Sequence, residues 1–171
     1  MGLRDFQARR GGFKPQAYRF PADYPVQVQF ARELTDALYV VEHSNPDNWT
    51  QWAECTFPEC YGCEQNRATV GWSDWAQRPR LYIDARIDGS LEVICQTLTP
   101  SMLAPKLEAY YLQHGTICGI LFNVTRTGQG KKTKYLLDPV DDSPRPLTSN
   151  LRLRDYLTSI PYAAQEHYYN K

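Results

Sequence analysis

The chain has 171 residues, which is enough for one domain with a hydrophobic core and some additional structure. Its 19 basic residues balance its 19 acidic residues, so the overall charge does not indicate a nucleic-acid partner and only the local distribution of charge can do so. The sequence shows no apolar run of membrane-spanning length and no hydrophobic signal core at its beginning, which together predict a soluble, cytoplasmic protein without a membrane partner.

The first 25 residues mix glycine, proline, arginine and aromatic residues without a period, which is typical of an extended arm. Within the first twenty residues, five basic side chains accompany a single acidic one. We therefore predict a basic N-terminal arm at residues 1–25. Such an arm either contacts a partner or is a poorly ordered terminus without a role.

Two strands are predicted after the arm. Apolar and polar residues alternate over 26–32, which indicates a half-buried strand. A turn at Thr35 and Asp36 separates it from a second strand at 37–42. This second strand ends directly before His43 and therefore delivers that side chain to the segment that follows.

The segment 43–63 combines one histidine with three of the chain's five cysteines, in the order His-x11-Cys-x4-Cys-x2-Cys. One imidazole nitrogen and three thiolates form a tetrahedral zinc set without an open position, which is the pattern of a structural site. Proline and glycine beside the Cys-x2-Cys pair provide the tight turn that aims both sulfurs at one ion. The predicted ligands of this structural Zn²⁺ are His43, Cys55, Cys60 and Cys63.

Two alternatives stay open for these residues. Three cysteines within nine residues could be ordinary reduced thiols. Either Cys95 or Cys118, which both fall in predicted strands, could also replace His43 as the fourth ligand. A disulfide framework is not expected, because the cysteine count is odd and no secretory signal precedes it.

All four tryptophans fall in or shortly after this cluster, and the segment 64–79 carries two of them without a regular pattern. The rings either pack over a small metal module that lacks a core of its own, or serve as platforms on which bases stack. We favour packing for Trp49 and Trp52. Both roles stay open for Trp72 and Trp75.

The next segment, residues 80–97, has the alternation of a β-hairpin. Asp88 and Gly89 are the turn signal at its centre, and 91–97 is the returning strand. One face of the first strand carries its apolar residues and is expected to face the core. The opposite face is either a nucleic-acid contact surface or an ordinary solvated face, and it carries Arg80, Tyr82 and Arg86.

A long helix is predicted over 101–114. Its apolar residues recur at the spacing of one helical face, Ser101 is a candidate N-cap, and Gly115 is placed to end it. Pro105 either lies in the first turn or confines the helix to the residues after it.

The last hairpin is predicted as a strand at 117–126, a glycine-bearing turn at 127–130 and a returning strand at 132–139. Its turn combines basic residues with two glycines, which let the backbone turn tightly and let a phosphate approach. Alternation places lysines on one face of the returning strand and a ring on the other, so charge and stacking could hold a single strand. The candidate contacts are Arg126, Lys131, Lys132, Lys134 and Tyr135. A solvated basic turn is the alternative.

The order of elements is two strands, a hairpin, one long helix and a final hairpin. These six predicted strands are one more than the five of the oligonucleotide-binding (OB) barrel, but their order matches that fold, which has its helix before the last hairpin. We therefore predict a mainly β fold of this type with an inserted zinc ribbon. The domain organisation is an arm at 1–25, an OB-fold domain at 26–139 with the ribbon at about 43–79, and a C-terminal extension at 140–171 with a short candidate helix at 151–160.

The run FNVTRTGQGKKTKYLLDP, from Phe122 to Pro139, is similar to the closing hairpin of phage single-stranded DNA-binding proteins, which share an aromatic-x-(Val/Ile)-Thr-Arg-x-Gly-x-Gly-x-x-Thr-x-Tyr pattern. The His-Cys-Cys-Cys order upstream resembles the zinc ribbon of the T-even phage helix-destabilising protein family. The two similarities together cover roughly residues 37–139. Phe122 stands at the aromatic position of the pattern and joins the candidate DNA contacts.

The resemblance implies an OB fold, a structural zinc, and sequence-tolerant binding and protection of single-stranded DNA in phage replication, recombination and repair, in the cytoplasm of the host cell. It implies no catalysis and no small-molecule substrate, and it suggests replication or recombination proteins as partners. Two departures are visible. The chain ends AAQEHYYNK where the family often has an acidic tail, and the spacing of the first three ligands is tighter, which predicts a smaller ribbon.

Two other functional classes can be compared with this one. A zinc deaminase would need His-x-Glu and Pro-Cys-x-x-Cys, but Asn45 stands in place of the glutamate and Glu59 interrupts the second motif, so an enzyme is not expected. A non-catalytic zinc-ribbon adaptor that docks onto a replication or transcription protein stays possible, because the ribbon segment is acidic and rich in tryptophan.

Overall fold

A computed structural model describes residues 15–71 and 73–171, and for Trp49 and Thr50 it describes the backbone alone. The roles predicted for residues 1–14, for Trp72 and for the Trp49 ring lie outside the described residues. In the described part the strands and helices are β1 (Pro25–Phe30), β2 (Leu38–Asn45), β3 (Asn48–Glu54), α1 (Tyr61–Ala68), β4 (Arg78–Ile87), β5 (Ser90–Thr97), α2 (Leu103–His114), β6 (Leu121–Thr127), β7 (Lys134–Asp141) and α3 (Tyr162–Tyr169). None of these described helices combines the length and the apolar character that a membrane crossing requires.

The seven described strands form an antiparallel sheet with the order β3-β2-β4-β1-β6-β7, and β5 also pairs with β4. The chain is therefore mainly β, as the alternating segments predict. Among the described residues the sheet is open, and its strands do not close into a barrel.

The chain divides into two compact units. The first contains the described residues up to Leu38 together with Leu81–Tyr156, and the second contains Tyr39–Arg80 together with Leu157–Lys171. The last fifteen residues thus belong to the same unit as the histidine and the three clustered cysteines.

The core of the first unit follows the alternation read from the sequence. The alternating residues of β1 and the first apolar residues of α2 are buried. The predicted inward residues of β4 are also buried, and these are Leu81, Ile83, Ala85 and Ile87. Ring contacts within this core join Phe30 to Phe122 and Phe122 to Tyr110. Long-range packing between strands and one helix therefore holds this unit together.

The described part of the predicted arm is residues 15–25, of which Pro25 already begins β1 and 15–24 lie along the strands of the first unit. The Tyr18 N–H donates to the Val93 carbonyl of β5, and the Asp23 N–H donates to the Arg126 carbonyl of β6. Phe20 is buried in the core, with its ring edge-on to that of Tyr135. This part of the arm therefore contributes to the fold.

The turn signals of the first unit are confirmed. Asp88 and Gly89 both have positive φ angles, 49° and 79°, as a tight hairpin turn requires. Gly115 ends α2 in the left-handed conformation with φ 80°. Pro105 lies in the first turn of α2, where its missing N–H does not interrupt the helix.

Several element boundaries differ from those predicted. The N-cap of α2 is Met102 and not Ser101. Strand β6 begins at Leu121, because residues 117–120 form a turn in which the Ile120 N–H donates to the Ile117 carbonyl. Strand β3 and helix α1 were not predicted, and the candidate helix at 151–160 is instead a single 3-10 turn at Leu153–Tyr156 followed later by α3.

Candidate metal centre and nucleic-acid interface

The second unit brings the four predicted metal ligands together from three elements. His43 lies in β2, which pairs with β3 so that His43 is opposite Ala53. The chain leaves β3 directly before Cys55. Cys60 is the N-cap residue of α1, and Cys63 lies in the first turn of that helix. A hairpin and a helix start therefore supply one ligand set.

The distances between the ligand atoms fit a single ion. The imidazole nitrogen and the three sulfurs all lie within 4.8 Å of one another. The Sγ atoms of Cys55 and Cys63 are 3.5 Å apart, and Cys63 Sγ is 3.3 Å from His43 Nε2. Tetrahedral zinc places two thiolates about 3.8 Å apart and a thiolate about 3.6 Å from an imidazole nitrogen. These four residues are thus close enough to hold a metal ion, and the donor set is compatible with structural zinc.

A hydrogen bond selects which nitrogen of His43 faces the sulfurs. Nδ1 lies 2.6 Å from the carbonyl oxygen of Trp75, and this pairing requires Nδ1 to carry the proton and donate it. Nε2 is then the lone-pair nitrogen directed at Cys63. Burial lowers the pKa of His43 below its ordinary value, and the bond to the Trp75 carbonyl opposes this only in part. The imidazole is therefore held neutral, in the form that binds metal.

The two thiols of the Cys-x2-Cys pair differ in acidity. Burial raises the pKa of Cys63 to about 12, and the neighbouring Cys55 sulfur adds to this effect. Burial also opposes ionisation of Cys60, but hydrogen bonds from the backbone N–H groups of Cys63 and Thr56 and from the Cys55 and Cys63 side chains together outweigh it, so that the pKa of Cys60 is lowered. The Gln77 side-chain amide lies 3.5 Å from both Cys55 Sγ and Cys63 Sγ and can donate to them. These N–H groups are suited to a set of thiolates around a cation.

The C-terminal segment packs against the metal ligands and was missed by sequence reasoning. Gln165 is 1% exposed, donates to Thr56 Oγ1 and to the Ile160 carbonyl, and accepts the Tyr61 N–H. The Tyr169 hydroxyl donates to the His43 carbonyl. No spacing or motif in the sequence marks these residues, since their partners are more than a hundred positions away for three of these bonds.

The sequence leaves two roles open for Trp75, and the structure shows that its ring packs against other aromatic rings. The Trp75 ring is edge-on to both Tyr61 and Tyr169, with centroids 5.7 Å and 4.9 Å away. Its backbone carbonyl also accepts the hydrogen bond from His43 Nδ1, so both the ring and the backbone of Trp75 support the metal module. The half-buried Trp52 lies under the Arg80 guanidinium, 4.4 Å from its ring centroid. Packing is therefore the role that these two rings have in the second unit.

The predicted exposed face of β4 is corrected at two of its three positions. Arg80 forms an ion pair with the buried Glu42 at 3.1 Å, so its charge compensates an internal carboxylate. Tyr82 is only 4% exposed and is not available for stacking, because β4 is covered on both faces over Leu81–Ala85. Arg86 alone is exposed, as predicted.

The turn between β6 and β7 is exposed, and its two lysines, Lys131 and Lys132, extend to the solvent together with Lys134 at the start of β7. None of the three lysines forms an ion pair with another residue in the described ranges. Gly128 has φ 74°, and a Cβ atom there would lie 2.3 Å from the Lys132 carbonyl oxygen, so the turn requires glycine. Arg126 is half-buried at the end of β6, and its Nε has no hydrogen-bond partner among the described residues.

The predicted stacking rings of this hairpin are corrected. Tyr135 is 5% exposed and Phe122 is fully buried, and both belong to the hydrophobic core. The alternation of β7 is as predicted, with Lys134 exposed and Tyr135 on the other side, but that other side faces the core. The hairpin therefore offers a ligand positive charge, but neither of these two rings is available for stacking.

Comparisons with known protein families, with curated proteins and with solved structures find no match for the chain. A proposal for its function therefore rests on the geometry of its own residues.

Proposed function

We propose that this protein binds single-stranded nucleic acid, with DNA as its ligand and little sequence preference, through the turn between β6 and β7. The observation that carries the proposal is the exposure of Lys131, Lys132 and Lys134 on a glycine turn, without an acidic partner among the described residues. Unpaired lysines on a protruding turn can neutralise phosphates and release their counterions, which is the main source of sequence-independent affinity.

The strand order of the first unit supports an OB-type assignment. Its five strands are ordered β5-β4-β1-β6-β7, and α2 connects β5 to β6. In an OB fold the third and fifth strands lie at these two ends, and the barrel is often only partly closed. The turn between β6 and β7 is then the loop between the fourth and fifth strands, one of the two loops with which OB folds bind oligonucleotides.

The metal centre of the second unit is proposed to hold a structural zinc ion through His43, Cys55, Cys60 and Cys63. Four protein ligands leave no position for a substrate or an activated water, so zinc would supply folding energy and no catalysis. We therefore propose a binding protein and not an enzyme. Replication or recombination proteins are proposed as its partners from the sequence resemblance alone.

Fluorescence anisotropy with labelled single-stranded and duplex oligonucleotides at several salt concentrations tests the proposal. The wild-type protein should bind the single strand more tightly than the duplex. The slope of log K against log salt should be about −0.7 for each phosphate that the protein neutralises. Replacing Lys131, Lys132 and Lys134 together by alanine should weaken binding and flatten this slope. Lys106→Ala, which removes a lysine from α2 and not from the turn, is the matched control. An unchanged slope in the triple variant would contradict the proposal.

A protein adaptor is the second candidate, and one observation on the second unit favours it. Phe57 is 69% exposed and Val70 is fully exposed in the same unit as the metal ligands. Single exposed apolar side chains are common on protein surfaces, so the stronger indication is charge. Residues 42–64 carry five acidic side chains and no lysine or arginine, a composition better suited to contact with another protein than with a phosphate backbone. An adaptor would bind neither the single strand nor the duplex tightly, so the same anisotropy measurement separates the two functions.

A further inference from the structure

A cleft of about 410 Å³ lies in the first unit beside the lysine-bearing turn. One wall is the segment between β5 and α2, and the other is the turn between β6 and β7. Four hydroxyl side chains, one ammonium group and one thioether line it, from Thr97, Thr99, Ser101, Thr133, Lys131 and Met102. No acidic residue is among the described residues that line it.

The two walls of this cleft are tied together by hydrogen bonds. The Tyr135 N–H donates to the Ser101 carbonyl at 2.9 Å, which joins the start of β7 to the segment before α2. The buried Gln96 donates to the Tyr135 hydroxyl and accepts the Leu103 N–H at the start of α2. These bonds fix the backbones of the two walls relative to each other, which lowers the ordering cost for a ligand that binds between them.

The chemistry of the lining selects a class of ligand. Hydroxyl groups can donate to phosphate and sugar oxygens, and Lys131 adds a positive charge at the rim. Met102 offers a polarizable apolar surface to the flat face of a base or a sugar. The absence of carboxylates from the described lining means that nothing there repels an anion.

We propose that this cleft takes one phosphodiester-linked nucleotide of the bound single strand, with its phosphate and sugar oxygens on the hydroxyl groups. This inference rests on the proposed function and adds a neutral hydrogen-bonding subsite to the charged turn. The two parts make separable predictions, because removing hydroxyl groups changes no charge and should leave the salt dependence of binding intact.

The test is a variant with Thr99→Val, Ser101→Ala and Thr133→Val, titrated with labelled oligo(dT) and oligo(rU) over a range of salt. We expect affinity for at least one oligonucleotide to fall roughly tenfold or more at every salt concentration, with the slope of log K against log salt unchanged. Thr148→Val, an exposed threonine outside the cleft, is the matched control. The two oligonucleotides show which sugar the cleft accepts.

A measurement on the wild-type protein removes any dependence on the folding of the variant. The chain contains two methionines, Met1 and Met102, so ¹³C-methyl labelling of methionine gives two signals, which Met102→Leu assigns. Addition of the oligonucleotide should shift the Met102 signal, whereas inorganic phosphate at equal concentration should not. An unmoved Met102 signal with binding intact, or unchanged affinity in the hydroxyl variant, would overturn the cleft and leave the lysine turn standing. A wild-type protein that binds no single strand would instead overturn the proposed function.

Discussion

Gly62 lies directly against the ring of His43. A Cβ atom at position 62 would be 2.4 Å from His43 Cγ and 2.7 Å from Cδ2, which is far inside van der Waals contact. The helix that carries Cys63 therefore approaches the strand that carries His43 as closely as it does because residue 62 has no side chain. The imidazole is held between this helix backbone and the Trp75 carbonyl.

Gly62→Ala should weaken metal binding, because the new methyl group must push the His43 ring away from the sulfurs. Displacing a ligand from its supported position typically lowers metal affinity roughly tenfold or more. In an ordinary helix the same change would stabilise the protein by roughly 0.5–1 kcal/mol, so the two effects have opposite sign. Chelator competition measures the affinity, and Arg67→Ala, an exposed residue of the same helix, is the control. Unchanged affinity with raised stability would show that the ring is not a ligand.

Removing the metal or one of its thiolate ligands should first of all lower the stability of the second unit. Structural zinc contributes folding energy directly, so Cys60→Ser is expected to lower stability by more than about 4 kcal/mol. Trp75 lies in a ring cluster over this module, so tryptophan fluorescence during unfolding reports the loss. Elemental analysis should find one equivalent of zinc in the wild-type protein and in Cys118→Ser, whose thiol is outside the ligand group. Retention of zinc by Cys60→Ser would contradict the assignment.

How far the sequence predicts this protein depends on whether a contact is local. The β4–β5 turn is set by Asp88 and Gly89 themselves, and the spacing of the cysteines anticipates a ligand set that the structure brings together. Alternation places Tyr82 and Tyr135 on the correct side of their strands relative to their neighbours, but it cannot show what covers that side. Both rings are buried because of elements distant in sequence. Strand β3 was missed because its residues lack a clear alternation.

Metal binding should strengthen as pH rises through neutrality, and the thiols should cause this. Each thiol that ligates must lose its proton, and burial raises the pKa of Cys63 to about 12, so binding near pH 7 releases that proton in full. Burial lowers the pKa of His43, so its imidazole contributes less to this proton release than an exposed imidazole would. In the metal-free protein, by contrast, stability should fall as pH rises. The raised pKa of Cys63 stabilises the folded state while this thiol is protonated, and that contribution is lost as pH rises toward 12.

Calorimetric titration of zinc into the metal-free protein, in two buffers with different ionisation enthalpies, counts the protons released. Release of more than one proton per zinc ion between pH 6.5 and 7.5 would agree with thiols as the source, because a single imidazole can release at most one. Release of one proton or fewer would contradict the set of three thiolate ligands.

Gln165 joins the C-terminal helix to both backbone segments that carry the clustered cysteines. It donates to Thr56, next to Cys55, and accepts the N–H of Tyr61, next to Cys60. Gln165→Leu keeps the volume of the side chain but removes this partner of the partly buried Thr56 hydroxyl and Tyr61 N–H, so we expect a loss of stability of roughly 2 kcal/mol and weaker zinc binding. His167→Ala, an exposed residue of the same helix, should change neither quantity. Denaturant unfolding and chelator competition measure the two effects, and normal zinc affinity in Gln165→Leu would show that the C-terminal helix is not needed to position the ligands.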